Sequence, residues 1–66
     1  MKTINYKKLW ILLLERNITK QDFREMCNIS TGTMTKLNKN QEVALSVIVK
    51  ICNTLDCDVA DICEVV

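Results

Sequence analysis

The sequence predicts an all-α fold, a compact five-helix bundle forming one domain over residues 1–66. Three observations carry this. The chain contains no proline and a single glycine, so little in it breaks a helix. Apolar residues make up 48% of the 66 positions and recur at helical rather than strand spacing. A chain of this length supports one core, burying about 60% of its extended surface.

Met1 to Ile4 is expected to be an extended lead-in, with Asn5 capping helix one, Tyr6 to Arg16. Tyr6, Leu9, Trp10 and Leu13 fall on one face and should point to the core. Leu12 lies at the edge of that face. Ile11 and Leu14 lie off it, a surplus of apolar surface that suits a partner.

The centre of the chain is Thr19 to Leu37, TKQDFREMCNISTGTMTKL. Thr19 can cap a second helix, Lys20 to Met26, with Asp22 three residues on. Ser30 can cap a third, Ser30 to Asn38. Asn28 between them accepts a left-handed turn. Phe23, Cys27, Ile29, Met34 and Leu37 should face inward, leaving Thr31, Gly32, Thr35, Lys36 and Lys39 on the outer side of helix three.

Asn40 to Ala44 reads as a connection. Helix four, Leu45 to Leu55, should turn a wide stripe inward: Leu45, Ile48, Val49, Ile51, Cys52 and Leu55. Ala44 is a poor cap for it. Asp58 and Asp61 can cap helix five, Val59 to Val65, with Val59, Ile62 and Cys63 covering the core.

Two short helices across a tight turn, with three flanking helices of suitable length and order, resemble the phage repressor and Cro type of helix-turn-helix regulator, the XRE class. The resemblance covers nearly the whole chain and is nearest to the small single-domain members. It implies a lambda-repressor-like DNA-binding domain that acts on double-stranded DNA, commonly as a homodimer. It implies that helix three reads base edges in the major groove through Thr31, Gly32, Thr35 and Lys36. Thr19, Lys20, Ser30, Thr33 and Lys39 would hold phosphates, where they position without specifying. Arg24 departs from the family, which usually places a small residue there. The connection after helix three departs as well, since it lacks basic residues.

Charge distribution agrees with an anionic partner on one side. Residues 1–40 carry a balance of +5 and residues 41–66 a balance of −4, against a net charge of +1. A basic front half bearing the helix-turn-helix suits DNA.

The four cysteines, Cys27, Cys52, Cys57 and Cys63, are expected to pack as small hydrophobes in a reducing, cytoplasmic setting. No Cys-x-x-Cys pair and no histidine is present, so a zinc site is not expected. The longest apolar run, Leu9 to Leu14, is too short for a membrane span or signal core. The sequence holds no glycine-rich phosphate loop, nucleophile elbow or histidine base, so neither catalysis nor a cofactor is expected. Nor is there the volume for a sizeable small-molecule pocket.

Two functional readings follow. One is a sequence-specific DNA-binding transcriptional regulator. The other is a protein-interaction module of the same fold, an antitoxin-like or anti-repressor partner that does not read DNA. The apolar surplus on helix one and at the C-terminus motivates the second.

Overall fold

The computed structural model describes residues 1–66. Its helices are α1 (Lys7–Glu15), α2 (Lys20–Met26), α3 (Thr31–Asn38) and α4 (Leu45–Leu55). A single 3-10 turn follows at Val59–Asp61. Two short strands, β1 (Ile4–Asn5) and β2 (Glu64–Val65), pair antiparallel, with Ile4 opposite Val65 and Asn5 opposite Glu64.

The caps explain where the helices begin. The Thr19 hydroxyl accepts from the Asp22 N–H at 3.0 Å, and the Ser30 hydroxyl accepts from the Thr33 N–H at 3.2 Å. Both residues are extended at the cap, as that bond requires. Asn5 serves α1 differently from a regular cap: its Oδ1 accepts from the Lys7 N–H at 2.8 Å, and Tyr6 occupies the cap position. Ala44 begins α4 with no side-chain bond.

The ends follow one rule. Each α-helix is followed by a residue in the left-handed region: Asn17, Asn28, Asn40 and Asp56, with φ between 52° and 57°. In each case the next N–H reaches back five residues: Ile18 to Leu13, Ile29 to Arg24, Gln41 to Lys36 and Cys57 to Cys52, at 2.9–3.0 Å. This is the Schellman closure, here built four times without glycine.

The core gathers residues from every helix. Tyr6, Leu9, Leu13, Phe23, Cys27, Ile29, Met34, Leu37, Ile48, Ile51, Leu55 and Ile62 are buried. The Trp10 ring is half-buried and meets Phe23 edge-on, with centroids 6.3 Å apart, a favoured aromatic geometry.

Three expectations need correction. The bundle has four α-helices rather than five. The segment expected as helix five makes its Asp58–Asp61 capping box, with Asp58 N donating to Asp61 Oδ2 at 3.0 Å. It then leaves the helical path after one turn, because Glu64 and Val65 pair with β1. The fold stays helical in class, with this two-residue ribbon as an addition at its edge. Leu45 and Val49 on α4 are exposed, at 80% and 55%. The buried face of α4 is the narrower Ile48, Ile51 and Leu55 row, and Val49 lies about 120° around the helix from it. Val59 is exposed as well, whereas Ile62 fills the core position beneath the turn.

Candidate nucleic-acid interface

The outer side of α3 is set by what its inner side buries. Met34 and Leu37 anchor the helix to the core. Thr31, Gly32, Thr35, Lys36 and Lys39, at helical spacing on the opposite side, are all exposed.

Their groups are available to different degrees. The Thr35 hydroxyl donates to the Thr31 carbonyl at 3.0 Å, so its hydrogen is engaged while its lone pairs and methyl stay free. The sole ion pair of the chain joins Lys8 to Glu64 at 3.8 Å, which leaves the Lys36 and Lys39 ammonium groups unpaired. Ser30 and Thr33 are turned toward each other, the Ser30 hydroxyl donating to Thr33 Oγ1 at 3.0 Å. That pair closes the cap and holds the first turn of α3 in place.

Gly32 has an ordinary helical backbone, and a Cβ built on it would meet nothing within 4 Å. Neither packing nor backbone angle therefore requires glycine here. Glycine costs up to about 1 kcal/mol against alanine in a helix interior and less in the first turn, where Gly32 stands.

Lys20 stands at the start of α2, held rather than loose. Its Nζ donates to Asn38 Oδ1 at 2.8 Å and lies 4.2 Å from the centre of the Trp10 ring. The ring face favours a cation there. An ammonium carries three donors, so others stay free for an anion. Trp10 and Asn38 thus support this position. Sequence pattern alone points to neither: helical spacing makes Trp10 a core residue, and Asn38 carries no local signal of a lysine partner 18 residues away.

Tyr6 is a further support, whose sequence pattern shows only its core side. Its hydroxyl donates to the Gln41 carbonyl at 2.7 Å, and its N–H donates to Asn40 Oδ1 at 3.1 Å. These two bonds tie the start of α1 to the turn that ends α3. Burial pushes the Tyr6 phenol above its ordinary value, aided by the nearby Cys63 and Glu42. The phenol therefore stays protonated and keeps donating. Arg24 is half-buried on α2, as the apolar stem of an arginine allows.

A family model for the Cro/C1-type helix-turn-helix DNA-binding domain matches residues 8–66. The chain belongs to that family. This Cro/C1-type domain is also similar to a crystal structure of the transcriptional regulator VanUg (Form II), with 42% identity and a TM-score of 0.96. The similarity covers 98% of this chain and 87% of that one. Comparison with curated proteins gives no match. The family match begins at Lys8, so β1 and Tyr6 precede the matched part of the domain. No helix is long and apolar enough to cross a membrane.

Proposed function

We propose that this protein is a sequence-specific DNA-binding transcriptional regulator whose α3 reads the major groove. Membership of the Cro/C1-type family and the likeness to the VanUg regulator support the class. The observation that carries the role of α3 is Gly32. The fold tolerates a side chain at that position, yet glycine occupies it on the exposed face. A reader helix gives that choice a reason, since the bare backbone can lie close to base edges.

In this reading Thr31, Thr35 and Lys36 contact bases, Lys36 through guanine O6 and N7. Lys20, Lys39 and the hydroxyls of Thr19 and Thr33 hold phosphates, and Ser30 joins them by turning its hydroxyl hydrogen from Thr33 to the phosphate. Two copies act together as a homodimer in the cytoplasm, because one α3 spans only a few base pairs. Selection of bound duplexes from a random pool should return two dyad-related half-sites roughly one helical turn apart. A single asymmetric site bound by one chain would reject the dimer.

Gly32→Ala separates the fold from the function. We expect the variant to unfold at higher denaturant, gaining less than about 1 kcal/mol, while binding the selected duplex more weakly. A variant with both higher stability and unchanged affinity would remove Gly32 from the reading face.

The interaction-module reading has one observation in its favour. Ile4, Val43, Leu45, Ile48 and Val59 line an apolar groove of about 320 Å³, with Leu45 standing exposed beside it. Binding to random duplex DNA across a salt series discriminates the two. A DNA reader shows affinity that falls steeply with salt; a module without DNA affinity shows none at any salt.

A further inference from the structure

The Schellman closure brings the side chain of the residue five before the bonded N–H toward that of the residue bearing it. At the first three helix ends the residues so placed are Leu13 with Ile18, Arg24 with Ile29, and Lys36 with Gln41. At the end of α4 they are Cys52 and Cys57.

The Cys57 N–H donates to the Cys52 carbonyl at 3.0 Å. With standard backbone dimensions this holds the two Cα atoms within about 7 Å. Disulfides usually span Cα separations of about 4.4–6.8 Å. Both residues are half-buried with free thiols, and the Cys52 thiol is a direct neighbour of the Cys57 thiol. Cys57 also lies in the wall of an open depression of about 480 Å³, beside Lys8, Leu12, Arg16 and Asp61, so a small reagent can reach it.

The other two cysteines are placed differently. Cys27 is buried in the core, near Thr54 and Lys50. Cys63, whose thiol is pushed up by burial and by the nearby Cys52, is turned instead to the Val59 carbonyl at 3.6 Å. No three cysteine or carboxylate groups are arranged to hold a metal.

We propose that Cys52 and Cys57 form a reversible dithiol–disulfide pair, closed by small-molecule disulfides and acting as a clamp on the end of α4. One protein thiol loses its proton and attacks a sulfur of the small disulfide, expelling half of it as a thiolate that takes up a proton. The second protein thiol, once deprotonated, attacks the mixed disulfide and expels the other half. One protein S–S bond forms, one small-molecule S–S bond breaks and two small thiols are released. The protein pair gives up two electrons and the small disulfide receives them.

The test uses the full chain and oxidised glutathione, followed by alkylation, mass measurement and peptide mapping. Two of the four thiols should become unreactive, the intact mass before alkylation should fall by two hydrogens, and the map should link Cys52 to Cys57. Cys63→Ser should leave that link intact and Cys57→Ser should abolish it. The closed form should melt several degrees higher than the reduced form. Four reactive thiols after oxidant, a link between any other pair or between two chains, or a lower melting point would each overturn the proposal.

Discussion

Phe23→Ala is expected to remove about 3–5 kcal/mol of folding free energy. Phe23 is fully buried and sits on α2, where it joins the first helix of the helix-turn-helix to the core. Its ring is the edge-on partner of Trp10. Truncation leaves a cavity beneath the turn and frees the Trp10 ring that also carries the Lys20 ammonium. A domain of this size is stable by only about 3–5 kcal/mol. The variant should therefore be largely unfolded at room temperature. Phe23→Leu keeps most of the volume and should stay folded with a lower midpoint. Trp10, the single tryptophan, makes denaturant unfolding readable by fluorescence. A loss of less than about 1 kcal/mol for the alanine variant, well under the usual range, would show that the core closes without this ring.

Lys36→Ala is expected to cost about 1–3 kcal/mol in binding to the best duplex and to relax preference at one base pair. The side chain is exposed and free of any ion pair, so its removal should leave stability within about 0.5 kcal/mol. Lys20→Ala provides the contrast. It should weaken binding to all sequences alike and reduce the salt slope by about one unit. It should also lower stability modestly, since it ends the Trp10 and Asn38 contacts. Binding measured on cognate and scrambled duplexes over a salt series gives both quantities. If both folded variants bind the selected site like the parent, α3 is not the reader.

The features of this molecule that local chemistry dictates are legible in the sequence. Thr19, Ser30 and Asp58 announce helix starts because a short side-chain oxygen reaches an N–H only a few residues away. Asn28 announces a turn for a similarly local reason. Leu45–Leu55 falls where its periodicity places it. The departures share a different origin. Glu64 and Val65 become a strand because Ile4 and Asn5 lie alongside, a partnership between opposite ends of the chain that no local window contains. The Lys20–Asn38 and Tyr6–Gln41 bonds are equally invisible to such a window. Within α4, periodicity identifies the apolar positions, but only the neighbouring helices decide how much of that arc is covered.

The β1–β2 ribbon also governs how the chain responds to a pull. Thr3 and Val66 exchange hydrogen bonds in both directions, each 2.9 Å long, so the two ends of the described chain leave the domain side by side. Tension applied between them acts across the ribbon rather than along it. The Thr3–Val66 bonds open first, then the next rung, in the manner of a zipper. Resistance at each step is that of one rung, not of the ladder as a whole. After the ribbon parts, the load passes to Tyr6 at one end and to Ile62 at the other. Both are core residues, so mechanical failure is expected to begin at the seam and reach α3 only after it.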